Sequence, residues 1–240
     1  MGAAIVAIPV AAAAILGTEV VLASRGVDLT ETDPYDLDGV VGDDKPGRTE
    51  RVVWLGDSTV AGVGASEPDA ALPRSYAAGL DHPVDLTVLA VSGARVADVV
   101  DEQLPRFPEG EIDTVLISIG ANDAVHLTRA GDFGRRYEQV LDALPEGADV
   151  VMLGVPDIGS VPRFAQPLRF LAGVRGGTID AVIDDLAGAR GHTYVDIAGR
   201  TGPAFRRDPG TYFATDDYHP SDAGYVLWSE AITADRLGSS

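Results

Sequence analysis

Apolar positions along the chain follow two rhythms. Short, nearly unbroken apolar runs occur at Val52–Leu55, Val84–Val91, Ile112–Ile119, Val150–Val155 and Thr193–Ile197. Runs of this length without polar alternation are expected of strands covered on both faces. Between them, Arg95–Phe107, Gly131–Leu144 and Thr178–Ala189 carry apolar residues at helical spacing. A last helix is expected from Pro220-Ser221 to about Leu237, with proline near its first turn. Strand–helix alternation predicts an α/β fold with a parallel sheet of about five strands, and a three-layer, flavodoxin-like sandwich is the simplest topology.

Residues 1–50 follow neither rhythm. Residues 1–24 are apolar apart from Thr18, Glu19 and Ser24. The uncharged run Ala3–Leu16 has the length of a signal-peptide core, and its extension to Ala23 is long enough to span a bilayer. Val21-Leu22-Ala23 has a cleavage-like pattern, although no Lys or Arg precedes the run. The segment reads as a signal peptide or membrane anchor, with membrane association through residues 3–23; an amphipathic helix packed on the domain is the alternative. Residues 25–50, rich in Asp, Glu, Gly and Pro, read as a mobile acidic linker. Residues 51–240 read as one domain, which this layout puts outside the cytoplasmic membrane, tethered or secreted.

Composition narrows the classes. At 45 % hydrophobic residues the chain holds enough apolar material for a globular core. Cysteine is absent, which excludes a disulfide framework and thiolate metal sites. The net charge of −19, from 37 acidic and 18 basic residues, repels nucleic acid and anionic lipid, so a polyanion partner is not expected.

In open α/β sheets, sites form at the carboxyl ends of strands. After the first run comes Gly56-Asp57-Ser58, and after the second Ser92-Gly93-Ala94. After the third comes Gly120-Ala121-Asn122-Asp123, and ahead of the last helix Asp216-Asp217-Tyr218-His219-Pro220. These are the parts acyl transfer needs: a serine, a histidine base, a carboxylate three residues from it, and candidate oxyanion donors. A phosphate loop is excluded because no Lys follows the glycines of GDSTVAGVG. Asp57 and Asp123 read as loop organisers. His126, four residues after Asn122, would face the site if a helix begins there, whereas His82 and His192 carry no signal. No His, Asp or Glu cluster has metal-ligand spacing, so a mechanism without metal or cofactor is expected. Val155–Gly177, irregular and locally apolar, reads either as a wall over an acyl pocket or as ordinary core.

The four blocks, GDSTVAG, VSGAR, GAND and DDYHP, stand in the order found in the SGNH (GDSL-type) hydrolases, which the chain resembles from about Arg51 to Leu237. With its N-terminal apolar segment it looks like the actinobacterial members. The resemblance implies a serine esterase or lipase-like hydrolase with a Ser58–His219–Asp216 triad. It also implies an oxyanion hole from Ser58, Gly93 and Asn122. Thr59 stands where the family name has Leu. By motif spacing Asp216 is the triad carboxylate, although Asp217 is adjacent and equally acidic. A small-molecule, lipid or glycan ester is the implied substrate. A carbohydrate deacetylase, an envelope acyltransferase and a non-catalytic binding domain are the rival readings.

Overall fold

The computed structural model describes Leu29 and residues 35–238. The expected signal or anchor, residues 1–24, lies outside the described residues. Six strands form one sheet: β1 (Gly39–Val41), β2 (Glu50–Gly56), β3 (Val84–Val88), β4 (Thr114–Ser118), β5 (Asp149–Leu153) and β6 (Thr193–Val195). Their order is β1-β3-β2-β4-β5-β6. Strands β2 to β6 are parallel and correspond to the five apolar runs. Their spatial order is that of flavodoxin, as the crossover rule anticipates.

Strand β1 was not anticipated. It pairs antiparallel with the edge of β3, Val40 opposite Asp85. Leu37 ahead of it is buried, and the Tyr35 hydroxyl donates to the Ala65 carbonyl at 3.1 Å. The expectation of a mobile linker through residue 50 is therefore corrected: residues 35–50 belong to the domain. The strand is short and Gly-flanked, and its pairing comes from β3, so local pattern does not reveal it.

The helices are α1 (Leu72–Gly79), α2 (Val96–Asp98), α3 (Ala121–Val125), α4 (Ala130–Asp142), α5 (Leu168–Arg190), α6 (Ile197–Arg207), α7 (Pro209–Tyr212) and α8 (Asp222–Gly238). Right-handed crossovers put α2, α4 and α5 on one face of the sheet. On the other, α8 packs against α1 and α6. The stretch expected as one helix after β3 is composite: α2 continues as a π turn (Val99–Gln103) and a 3-10 turn (Leu104–Arg106). The core lies where the central strands meet the helices. Trp54, Leu55, Leu116, Ile117 and Met152 are fully buried, and each such side chain contributes about 1.5–3 kcal/mol. Trp54 meets Tyr76 of α1 edge to face, with ring centroids 5.7 Å apart.

The amino ends of the strands carry a charged cluster. The buried Glu50 carboxylate pairs with Arg236, accepts the Thr114 hydroxyl at 2.6 Å, and bonds His82 Nε2 at 2.7 Å. The other nitrogen of His82 bonds Asp81 at 2.9 Å. Among the described residues no helix is long and apolar enough to cross a membrane.

Candidate active site

Strand β2 ends at Gly56, where a Cβ would lie 2.4 Å from Val60 Cγ2 and 2.6 Å from the Ser118 carbonyl. The chain then coils tightly: the Ala61 N–H bonds the Asp57 carbonyl, and the Val63 N–H bonds that of Ser58. The buried Asp57 carboxylate accepts the Thr59 N–H at 3.0 Å and the Thr59 hydroxyl at 2.9 Å. Burial pushes its pKa up, against the Thr59 bonds that lower it. Asp57 is thus the loop organiser expected of it, and Ser58 stands at the carboxyl edge of the sheet.

The far end of the chain meets this loop. Gly64 has φ +96°, and a Cβ there would lie 2.4 Å from the Pro220 carbonyl and 3.0 Å from His219 Cβ. Its bare backbone lets the serine loop touch the histidine loop. Tyr225 of α8 donates its hydroxyl to the Val63 carbonyl. The Asp222 carboxylate accepts the Ser66 N–H at 2.8 Å and its hydroxyl at 2.6 Å.

The contact aligns three side chains. Ser58 Oγ lies 2.9 Å from His219 Nε2, and His219 Nδ1 lies 2.6 Å from Asp216 Oδ2. The other Asp216 oxygen accepts the backbone N–H groups of Tyr218 and His219, both at 3.0 Å. All three residues are buried. Burial alone would raise the Asp216 carboxyl, but the bonds from the His219 ring and from the backbone outweigh it, so the pKa is lowered. An ionised Asp216 accepts the Nδ1 proton, which leaves Nε2 free to accept from Ser58. Asp217 faces away: it is exposed, has φ +57°, and its carbonyl accepts the Arg163 N–H.

Asn122 and Asp123 open α3 and hold the neighbouring Gly93 turn. Asn122 Nδ2 donates to the Ala94 carbonyl at 3.0 Å, and the buried Asp123 carboxylate accepts the Val96 N–H at 2.9 Å. Gly93 has φ +79°, with nothing within 4 Å of where a Cβ would be. Ser58, Asn122 and His219 line a common cavity; Gly93 sits beside Asn122 in the turn, outside that lining. His126 is exposed, its ring on the Asn122 carbonyl at 2.8 Å, and does not line the cavity.

Beyond the serine the cavity is mostly apolar, lined by Ile158, Val161, Phe205, Phe213 and Trp228, with Asp157, Ser160 and Thr201 as its polar groups. The Val155–Gly177 segment both walls and packs: Ile158, Ser160 and Val161 line the cavity, while Phe164 is buried edge to face on Tyr218 at 5.6 Å. Sequence reasoning missed Phe205, Phe213 and Trp228, because a cavity wall and a core stripe have the same periodicity. It also missed Gln103. This fully buried amide accepts the Gly56 N–H at 3.0 Å and donates to the Gly56 carbonyl at 2.8 Å, pinning the root of the serine loop.

The GDSL-like lipase/acylhydrolase family profile matches residues 54–227. A GDSL-like esterase of Mycobacterium tuberculosis is 31 % identical over 184 residues, covering 74 % of this chain and 59 % of that protein. The chain thus spans about three-fifths of that relative's length. The phospholipase A1 structure from Streptomyces albidoflavus superposes with a TM-score of 0.62 at 22 % identity, over 78 % of this chain and 99 % of that one. An acetylxylan esterase from Geobacillus stearothermophilus gives 0.54 at 21 %, over 78 % and 93 %. Those two likenesses are of fold. With the family profile covering all four loops of the site, the chain belongs to the GDSL-like lipase/acylhydrolase family.

Proposed function

We propose that the protein is a serine esterase that cleaves short-chain carboxylic esters through an acyl-enzyme. The observation that carries this reading is the unbroken hydrogen-bond chain from Ser58 through His219 to Asp216 at the wall of a mostly apolar cavity. His219 takes the Ser58 proton as the oxygen attacks the ester carbonyl. The Ser58 and Gly93 N–H groups and the Asn122 amide receive the oxyanion. His219 then protonates the leaving alcohol and activates the water that releases the acid. Asp216 holds the ring and balances its transient charge.

The cavity's small volume, about 50 Å³, favours a small acyl group. That size also favours removal of acetyl groups from a carbohydrate, which is the second reading. Hydrolysis of p-nitrophenyl esters across chain lengths, with sugar acetates alongside, tests both. The expected result is a maximum at short chains that Ser58→Ala abolishes; activity retained by Ser58→Ala would overturn the mechanism. We further propose that the enzyme works outside the cytoplasmic membrane, on the strength of the uncharged run Ala3–Leu16. Fractionation that finds it only in the cytosol would overturn that placement.

A further inference from the structure

We propose that the face formed by the end of α3 and the start of α5, beside the cavity, docks on the surface of an anionic lipid bilayer. Large apolar side chains exposed among the described residues number seven, and five of them fall here: Val125, Leu127, Phe170, Leu171 and Val174. Scattered exposed apolar residues are ordinary, but a cluster on two touching helices is not. The two helices pack together, and Arg175 of α5 donates to the Thr128 carbonyl just past α3. Phe170, Leu171 and Val174 follow helical spacing and share one side of α5.

The charge here is opposite to that of the whole chain. Between Asp157 and Asp180 there is no acidic residue, but there are three arginines, Arg163, Arg169 and Arg175. From Ala124 to Gly131 there is again none, and Arg129 is exposed. Arg169 spends its N–H groups on the Phe164 and Pro162 carbonyls, at 2.8 and 2.9 Å, and these neutral acceptors leave its charge in place. The exposed Asp217 stands at the edge of the patch. Apolar side chains set among arginines are the composition of a surface that sits in the headgroup layer of an acidic membrane. At physiological salt the screening length is about 8 Å, so this face, rather than the total charge of the chain, governs contact. The face adjoins the cavity through Asn122 on α3 and through Ser160 and Val161 ahead of α5, so docking would turn the cavity mouth toward the bilayer.

Vesicle co-sedimentation of the full chain tests this without any hydrolysis readout, so it stands or falls separately from the esterase reading. The probes are vesicles of phosphatidylcholine alone and of phosphatidylcholine mixed with phosphatidylglycerol, in physiological salt. The expected result is binding about tenfold tighter to the anionic vesicles, lost in the Phe170→Ser/Val174→Ser double variant and weakened in Arg129→Glu. Both variants change exposed side chains and should keep wild-type unfolding temperatures. Equal binding to the two vesicle types, or no binding to either, would overturn the proposal. So would variants that bind like wild type, which would assign the membrane contact to residues 3–23 instead.

Discussion

Asp216 and Asp217 are chemically identical neighbours in different surroundings. Asp216 is buried against the His219 ring and two backbone N–H groups, while Asp217 faces solvent in a left-handed turn. Asp216→Asn should lower kcat at least about tenfold, and Asp217→Asn less than about threefold. The reverse ranking in steady-state kinetics would move the carboxylate role by one residue. Asn122→Ala should lower kcat about 10²–10³-fold if its amide meets the oxyanion. A near-normal kcat with a lowered unfolding temperature would leave Asn122 only its bond to Ala94. The grouping of these residues was legible because they sit in short local motifs. Gln103 was not, since a glutamine in a helical stretch looks like surface until the π turn carries it to Gly56. Gln103→Leu leaves the buried Gly56 N–H unpaired at about 1–3 kcal/mol, while the Gly56 carbonyl keeps the Val91 N–H at 3.2 Å. It should lower both the unfolding temperature and kcat, and Gln103→Glu, which must bury a charge or take up a proton, should do the same.

At the scale of elements, the glycines explain what was hard to read. Helix α5 was expected from Thr178, yet it begins at Leu168, ten positions earlier. Gly173, Gly176 and Gly177 lower helix propensity there. A Cβ on Gly173 would come within 3.1 Å of Gly159 Cα, so the bare backbone permits close packing with the cavity-lining segment. Helix α6 was missed for the same reason: it contains Gly199, Gly202 and Pro203, and packing and the Asp196 cap on Gly199 N–H sustain it. The serine loop depends on its glycine most directly. Gly64→Ala adds a Cβ against Pro220 and strains a positive φ, a cost of about 1–3 kcal/mol. Because the loops it separates carry Ser58 and His219, kcat should fall by at least about tenfold even where circular dichroism shows a folded protein. An unchanged kcat would mean that the loops do not touch as described.

At the scale of the molecule, the parallel sheet was legible because each central strand is apolar on both faces; the edge strand β1 depends on β3 and was not. The charged cluster at the opposite end of the sheet makes stability depend on pH. Hydrogen bonds from His82 to Glu50 and Asp81 raise the histidine above its ordinary 6.5. Its contribution is therefore full below about pH 6.5 and fades as pH rises through the raised value. Burial pushes Glu50 up, but the bonds from Arg236, Thr114 and His82 win and hold it below 4.5, so its contribution fades only as pH falls below that range. Thermal unfolding of wild type and His82→Gln should differ most near pH 6 and converge near pH 9. Burial lowers His192 and gives an opposite slope, but it is common to both proteins and cancels in the difference. A gap that stays constant across that range would remove His82 from the balance.

Ser58 and His219 are 161 residues apart in sequence, and the loop between β2 and α1 is fastened to α8 by Tyr225 and Asp222. A ribosome that has made Ser58 has most of the domain still to make before the serine can meet the histidine proposed as its base. On the proposed mechanism the hydroxyl is an ordinary alcohol until then, and a chain broken off anywhere before His219 is chemically silent. Growing chains and proteolytic fragments would thus hydrolyse nothing in the compartment where they are made. Appearance of ester cleavage would instead time the moment when the two ends of the domain come together.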